Sequence, residues 1–478
     1  MVTVLSLSGF LLFIFGGQAL EIDSETGIEA LQKAQSLLES SYSAASVDFN
    51  LVNSLAKEQD GIYAKSLEVE MLPDLLTKRL TAKVSWQAAN GRTNYVSLYG
   101  LAVNLENSLS PDTCNSSLSG DWKNPVQASY NFGPEIANDF NNIFPISSMD
   151  AYFGRLYVGL SDASNKTLPT LFVLDIQNPK TKPDVLGSLD NNPASKAGIS
   201  ALRASGKFAF LASALGANFG TCANTDGQNA SCGQLQIVDI SAMPMALKYT
   251  MKMPAVTGQA GQGVGKSLFI KDRLVYLGLT KTLSGPEFNI IDISDPLNPV
   301  WKGGYKTGSG VNAIYVKNDY AYLATPDNEE LTVLDVSDPS HPKKVSGFDA
   351  PDNQGNGKSL FIIGNNIFLG RTVTSGNPEF YVLSQPDKTL TPGILGGKEI
   401  SSSVNQLLVK DYLAFLLTNS RLHILNIADP ANITDWAAPI SLQAGGVGSA
   451  MDCEQNAVYF SALPANNKSY LTVLTPGL

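Results

Sequence analysis

A short apolar motif that ends in a polar residue and a turn recurs along most of this 478-residue chain, and it constrains the fold more than any other feature. Two full copies read "FNIIDISDPLNP" and "LTVLDVSDPSHP". The seven copies stand 42 to 64 residues apart, the length of a four-stranded unit repeated about an axis. The polar position of the motif is filled in turn by Asp175, Asp239, Asp292, Asp335, Ser384, Asn426 and Thr475.

Each copy follows two strand-like runs, as "VNAIYVKNDYAYLAT" precedes Leu331, and each of the first six precedes another strand. The Asp-Pro step ends the third strand because Pro cannot continue a sheet ladder. These copies resemble the LVIVD-repeat family of β-propellers over residues 123–478. The resemblance implies a mainly β fold with a seven-bladed propeller, and its motif describes a blade rather than an activity.

The seventh copy has room for no outer strand, because only three residues follow Thr475. "NPVQASYNFG", within 124–133, resembles the outer strand of the third blade and is expected to complete the last one. Cys114 precedes that strand and Cys453 lies in the seventh blade, so a disulfide between them would close the ring. Cys222 and Cys232 flank a polar loop that a second disulfide would close. Free thiols are the alternative, and an even count in an exported chain favours disulfides.

Residues 1–20 carry no charge and are long enough to cross a bilayer as a helix. The first basic residue is Lys33, so the basic start of a secretory signal is absent, although "GQA" at 17–19 leaves cleavage open. Leu31, Ala34, Leu38 and Tyr42 then recur at helical spacing. We therefore expect one long helix within residues 1–56, apolar in its first half and amphipathic in its second.

A hairpin follows this helix, with "TAKVSW" and "NYVSLYGLAV" joined at Asn90-Gly91. A long hydrophobic helix before a small antiparallel sheet, here 57–122, resembles the type IV pilin and pseudopilin family. The resemblance implies copies assembled through the helix, which is held in the membrane before assembly. The expected filament-core positions are Val4, Leu5, Leu7, Phe10, Leu11, Leu12, Phe13 and Phe15.

One departure from the pilin pattern concerns position 5, where pilins carry a Glu that helps assembly and this chain has Leu5. Either the subunit lacks that carboxylate, or the start is assigned late and a leader with the Glu lies upstream. We favour the second explanation. Genomic sequence with no Gly-Phe-x-x-x-Glu codons in frame upstream would contradict it.

"AGQGVGKS", ending at Ser267, matches a relaxed phosphate-binding loop. Such a loop needs a helix after the Ser, but "LFIKDRLVYLGL" reads as a strand hairpin. A similar "GNGKSLFI" starts at Gly355, so the motif belongs to the repeat and nucleotide binding is not expected. Lys266 and Lys358 begin innermost strands and could reach a mouth of the central channel, where propellers usually bind ligands. Two solvated lysines are the alternative.

Composition excludes several other kinds of site. The net charge is −10 without a basic cluster, which argues against nucleic acid. No CxxC pair occurs, and His341 and His423 are the two histidines, so neither a metal nor a cofactor is expected. The repeated aspartates are expected to cap turns rather than to catalyse. Sequons that permit surface glycosylation begin at Asn115, Asn165, Asn229, Asn432 and Asn467.

Together these features favour an exported cell-surface protein that is not an enzyme. We expect a pilus-like filament subunit whose propeller head serves adhesion or another surface contact, with its ligand unidentified. The alternative is an exported propeller, membrane-anchored or secreted, that acts as an enzyme or binds a ligand without forming filaments.

The cysteine pattern makes a direct prediction. A non-reducing peptide map of the native protein should contain one crosslink between Cys114 and Cys453 and another between Cys222 and Cys232. Reduction should release both pairs. A map without the first crosslink would count against closure of the ring by the strand at 124–133.

Overall fold

The fold is described from a computed structural model, which divides into two compact units, Met1–Ser110 and Pro111–Leu478. The predicted boundary was at 122, so the second unit begins earlier than the sequence indicated. The structure describes residues 24–47, 52–71, 77–88, 91–103, 118–131, 146–161, 169–191, 198–214, 221–223, 229–231, 233–258, 261–327, 329–351, 354–384, 391–442, 446–463 and 470–477.

The first unit packs one helix against a four-stranded antiparallel sheet whose strands pair in chain order. Ala30, Ala34 and Leu38, four residues apart, are buried against the sheet, whose own core side chains include Leu80 and Val84. The elements are α1 (Ser24–Val47), β1 (Leu55–Asp60), β2 (Tyr63–Met71), β3 (Thr77–Gln87) and β4 (Thr93–Val103).

Two details of this unit differ from the sequence-based expectation. The buried stripe starts at Ala30 rather than Leu31, which is half-buried. The sheet begins at Leu55, inside the predicted helical region 1–56, because Leu55–Asp60 pairs with Tyr63–Met71 through a turn at Gly61, whose φ is +66°. Among the described residues no helix is both long and apolar enough to cross a membrane. Asn90 of the predicted turn lies outside the described residues.

The second unit is built from successive antiparallel sheets, and in all but the last of the four-stranded sheets the strands pair in chain order. Its first half contains β5 (Asp121–Tyr130), β6 (Ile146–Tyr152), β7 (Arg155–Leu160), β8 (Leu171–Asp175), β9 (Val185–Leu189), β10 (Ile199–Ser205), β11 (Phe208–Ser213), β12 (Thr221–Ala223), β13 (Asn229–Ser231), β14 (Leu235–Asp239), β15 (Ala246–Met251), β16 (Gly265–Lys271), β17 (Leu274–Leu279), β18 (Phe288–Asp292) and β19 (Val300–Tyr305).

The second half repeats the same plan. The outer edge of the sixth sheet is split into two short strands, Thr434–Asp435 and Ile440–Ser441, both of which pair with the third strand, Arg421–Asn426. The strands are β20 (Ala313–Lys317), β21 (Tyr320–Ala324), β22 (Leu331–Asp335), β23 (Lys343–Phe348), β24 (Gly357–Ile363), β25 (Asn366–Arg371), β26 (Phe380–Ser384), β27 (Gly393–Lys398), β28 (Val404–Lys410), β29 (Leu413–Thr418), β30 (Arg421–Asn426), β31 (Thr434–Asp435), β32 (Ile440–Ser441), β33 (Val447–Glu454), β34 (Ala457–Leu463) and β35 (Leu471–Gly477).

In the described residues of this unit, seven such sheets form a closed ring. Each innermost strand lies beside the innermost strands of the sheets before and after it, in the cycle β6, β10, β16, β20, β24, β28, β33 and back to β6. The seventh sheet has the order β33-β34-β35-β5, so a strand from the beginning of the unit supplies its outer edge. The prediction of a mainly β, propeller-like fold is confirmed, and each sheet is called a blade below.

Closure of the seventh blade joins the two halves of one repeat. In the third blade Asn298 donates to the Asp295 carboxylate at 2.7 Å, in the sequence "DPLNPV". In the seventh, Asn124 donates to the Asp121 carboxylate at the same distance, in "DWKNPV". The repeat that begins in β35 at the end of the chain is thus completed at residues 121–126. The expected strand, 124–133, overlaps β5.

Side-chain hydrogen bonds to backbone carbonyls connect neighbouring blades where the innermost strands begin. Ser267 of the third blade donates to the carbonyl of Val311 in the fourth at 2.9 Å. Ser359 of the fifth donates to Val404 of the sixth at 3.1 Å. Ser449 of the seventh donates to Ile146 of the first at 2.6 Å and so spans the closure of the ring.

Other polar side chains connect the remaining blades, three from innermost strands or the residue before one, and Gln234 from the residue before the third strand of the second blade. Ser148 donates to Ile199, Gln234 to Gly263, Asn312 to Gly357 and Gln406 to Ser449, at 2.7 to 3.4 Å. In blades one, three and five the connecting serine faces a glycine on the second strand, as Ser267 faces Gly278. A Cβ at Gly278 would lie 2.2 Å from the Ser267 hydroxyl, so the glycine makes room for the hydrogen bond.

These contacts predict a stability effect. Replacing the buried Ser267 or Ser359 with Ala leaves the carbonyl of the next blade without its donor, and each change should lower the free energy of unfolding by about 1 kcal/mol. Urea unfolding measures the loss. Ser188→Ala, on the exposed face of the outer strand β9, is the matched control and should change stability by less than about 0.5 kcal/mol. Equal effects at all three sites would contradict the role of these hydrogen bonds.

Candidate functional site

A ring of polar side chains marks one end of the central channel. In six of the seven innermost strands the register with the second strand shifts near the first residue, which leaves one residue in a β-bulge. In the fourth blade Asn312 takes this place, and its backbone N–H donates to the Ala324 carbonyl. The resulting entrance ring consists of Ser147, Ser200, Lys266, Asn312, Lys358, Asn405 and Ser449.

Lys266 and Lys358 are the charged members of the entrance ring. The Lys266 side chain keeps contact with solvent, yet surrounding protein atoms desolvate it and lower the pKa of its ammonium. Desolvation, and then the positive charge of Lys266, lower the pKa of Lys358. The two lysines therefore lie within electrostatic reach of each other, although they belong to the third and fifth blades. Both begin innermost strands, as predicted.

The lysines differ in their contacts. Lys358 donates to the Asn405 side-chain oxygen at 2.8 Å, and Asn405 donates in turn to Asn419 at 2.9 Å. Within the described residues no carboxylate forms an ion pair with Lys266 or Lys358. The arrangement therefore holds two like charges in a partly desolvated place, and chemically it can accept an anion.

Buried glutamates, which sequence reasoning missed, hold the segments that lead into the entrance ring. Each directly precedes the third strand of its blade. The Glu287 carboxylate accepts from the amides of Thr307 and Gly308, and Glu379 accepts from those of Ile400 and Ser401, at 2.7 to 3.1 Å. The repeated "PEF" at 286–288 and 378–380 is the sequence signal that could have identified them.

The environment decides the charge of these glutamates. Burial alone would raise the pKa of Glu287, but hydrogen bonds from Thr282, Lys306 and two backbone amides outweigh it and hold the pKa below its usual range. For Glu330, which accepts from the Ala350 amide at 2.8 Å, desolvation prevails and raises the pKa. Their buried contacts are with backbone amides and with neighbouring side chains, among them Arg371 of the fifth blade, which forms an ion pair with Glu330 at 2.7 Å, so we assign them a structural role.

The apparent phosphate-binding loop is part of the propeller. Gly265–Lys271 forms β16, and Asp272, with φ of +56°, makes the turn to β17. "GNGKSLFI" forms β24 in the same position of the fifth blade. A strand in place of the helix lacks the amide cradle that binds phosphates, which agrees with the exclusion of a nucleotide loop.

The repeated aspartates cap turns. Asp239, Asp292 and Asp335 each accept from the backbone amide of the serine two residues later, at 2.9 to 3.0 Å. Asp175 accepts in the same way from Gln177, and Asn426 from Ala428. The turn geometry thus accounts for the polar residue of the motif.

The structure describes the surroundings of both histidines. His341 is exposed and its ring lies 2.9 Å from the Asp338 carboxylate, in a turn. His423 lies on β30, and burial lowers the pKa of its ring. In the described part of the chain no group of three or more histidine, cysteine or acidic side chains is placed to hold a metal.

Several predicted sites fall wholly or partly outside the described residues. Cys453 is disulfide-bonded, but its expected partner Cys114 is outside them, so this pairing stays a prediction. The same holds for the pair of Cys222 and Cys232. Asn432 is exposed beside a 3-10 turn, where a glycan would meet solvent. The positions outside the described structure are Asn115, Asn165, Asn467 and all of the expected filament-core residues, and the side chain of Asn229 is likewise not described.

Comparisons with known proteins agree with the repeat and add no activity. The LVIVD repeat model matches residues 284–307 and 310–349, so LVIVD repeats are present. A comparison with curated proteins finds no match. The chain is similar to U3-55K (9% identity, 75% of this chain and 100% of that one, TM-score 0.47) and to the periplasmic gluconolactonase PpgL of Pseudomonas aeruginosa (11%, 66% and 88%, 0.47).

A third similar structure is a putative 6-phosphogluconolactonase from Bacteroides uniformis, at 9% identity over 59% of this chain and 80% of that one, with a TM-score of 0.46. At these identities and scores the likenesses say nothing about activity. The fold and the site together define a β-propeller with LVIVD repeats and a polar channel entrance.

The turn aspartates predict a pH effect on stability. Hydrogen bonds from Ser241, Ser294 and Ser337 lower the pKa values of Asp239, Asp292 and Asp335 below the ordinary 3.8. A carboxyl whose pKa is lower in the folded state stabilises it above the unfolded pKa, and this contribution is lost as pH falls through the folded pKa.

The triple variant Asp239→Asn, Asp292→Asn, Asp335→Asn keeps the acceptor, as Asn426 does naturally, and removes the charge. Urea unfolding should show the wild type more stable near pH 6, with the difference shrinking towards about pH 3. A difference that does not depend on pH would contradict the ionised turn.

Proposed function

We propose that this chain is a pilus-like filament subunit that displays a propeller as a binding head at the cell surface. The observation that carries the proposal is the first unit. There the amphipathic helix α1 packs on a four-stranded antiparallel sheet, and the sequence before it includes twenty residues, 1–20, without a charge. In this scheme residues 1–20 are held in the membrane before assembly and contact copies of the same chain afterwards.

One ion pair joins α1 to its sheet, and a second lies within the helix. Lys33 lies 3.0 Å from Asp60 at the end of β1 and 3.7 Å from Glu29, one turn earlier on the helix. Tyr63 on β2 donates to Glu29 at 3.0 Å. The charged side of the helix thus meets the sheet near its start, while Ala34 and Leu38 fill the core.

The propeller is proposed to bind rather than to catalyse. Its repeated aspartates are used in turns, and its buried glutamates bind backbone amides. The entrance ring offers the ammonium groups of Lys266 and Lys358 as donors to a ligand, and such binding needs no paired acid and base.

An oxidising, extracellular location fits the disulfide at Cys453, because disulfides persist in exported proteins and are rare in the cytosol. The exposed Asn432 adds a surface position that a glycan could occupy. The acidic net charge of −10 argues against nucleic acid as a partner.

The alternative function is an exported propeller, with a simple membrane anchor or in soluble form, that acts as an enzyme or binds a ligand without polymerising. The two lysines of the entrance ring, which form no ion pair with a carboxylate in the described part of the chain, favour its ligand-binding form, and this feature is shared with the filament proposal. The two functions differ in whether residues 1–20 assemble.

Electron microscopy distinguishes them. Native protein isolated from the cell surface should form filaments with a helical core, and Phe13→Glu should abolish them because it places a charge in a desolvated assembly. Phe153→Glu makes the same change at an exposed position of the propeller and should leave filaments intact. Native protein that remains monomeric and begins near Glu21 would contradict the proposal.

A further inference from the structure

A second tier of side chains lies further along the innermost strands, three residues after the entrance ring. On the third, fourth and fifth blades it consists of Phe269, Tyr315 and Phe361. Their rings touch in sequence, with centroids 4.9 Å apart for the first pair and 5.8 Å for the second. All three are partly exposed on the strands that line the channel, so they form a continuous aromatic wall.

The opposite part of this tier is charged. On the first and second blades Asp150 and Arg203 form an ion pair at 2.9 Å. Asp452 of the seventh blade accepts from the Ala151 amide at 2.6 Å. The charged groups of Asp150, Arg203 and Asp452 thus already have partners within the protein. The second tier is therefore aromatic on one side of the channel and charged on the other, where Asp150 is paired with Arg203 and Asp452 is bonded to a backbone amide.

The lysines stand on the same blades as the aromatic wall. Lys266 begins the strand that carries Phe269, and Lys358 begins the strand that carries Phe361. Asn312, between them, begins the strand that leads to Tyr315. One side of the channel thus places two ammonium groups, neither in an ion pair with a carboxylate of the described residues, near a flat apolar surface, which is the complement of a ring that carries a negative charge.

We propose that this side of the channel, the lysine–aromatic site of Lys266, Lys358, Phe269, Tyr315 and Phe361, binds a carboxylate attached to a six-membered ring. The carboxylate lies between the two ammonium groups and relieves their repulsion. The ring lies against the aromatic side chains, which pack equally well on the apolar face of a sugar and on an aromatic ring. Sugar acids and aromatic acids share this chemistry.

The inference rests on the proposed role of the propeller as the binding head. Ligand affinity is measured by titration and filament formation by imaging, so the two proposals are tested separately. Loss of filaments with ligand binding retained would overturn only the filament proposal, and the reverse result would overturn only the site.

Isothermal titration of the full-length protein with glucuronate and with benzoate tests the site, with glucose and benzyl alcohol as their uncharged counterparts. At least one acid should bind, and its counterpart should bind about tenfold more weakly or not at all. Glucuronate binding alone identifies a sugar acid, and benzoate binding alone an aromatic acid. Failure of both acids would overturn the proposal, and so would equal binding of inorganic phosphate, because phosphate carries no ring.

Variants locate the binding. Lys266→Met and Lys358→Met should each weaken the acid that binds by about tenfold, and Phe361→Leu should weaken it less than either. Lys302→Met and Lys343→Met remove the same charge from exposed outer strands and should leave affinity unchanged. Urea unfolding of each variant checks that it is folded. Binding that survives the double change at Lys266 and Lys358 in a folded protein would overturn the site.

Discussion

The hydrogen bond from a polar side chain of one blade to a backbone carbonyl of the next is the interaction on which the propeller depends. It recurs where the innermost strands begin, and Ser449 to Ile146 repeats it across the junction of the ring. Because the acceptor is backbone, the bond sets the position of the next strand whatever side chain that strand carries. The side chains of the entrance ring are thereby held in one layer, and two lysines from separate blades face a common space.

The repeat and its consequences could be predicted from the sequence, because they depend on neighbours along the chain. The spacing of the motif predicted the blades, and the Asp-Pro step predicted turns such as those at Asp292 and Asp335. Residues 124–133 were recognised as an outer strand because they repeat the pattern after Asn298. The strand character after Ser267 was sufficient to exclude a nucleotide loop.

Sequence reasoning missed the features that depend on contacts between different blades. Ser267 and Gly278 form a pair because the serine needs space to reach the carbonyl of Val311, 44 residues away. Neither residue type alone predicts this. The aromatic wall likewise takes one side chain from each of three blades, so spacing within a single repeat does not reveal it. In the first unit, the stripe that begins at Ala30 was displaced by one residue from the expected Leu31, because the sheet it packs against could not be placed from the helix alone.

The lysine–aromatic site depends most directly on Lys266 and Lys358 lying on the same side of the channel, where the charge of one acts on the other, and titration of the two lysines measures this. With lysines labelled by ¹³C-methylation, NMR should show both pKa values below the ordinary 10.5. In the Lys266→Met variant the pKa of Lys358 should rise, because a neighbouring positive charge has been removed. An ordinary pKa for Lys358 that does not respond to the loss of Lys266 would contradict the shared entrance.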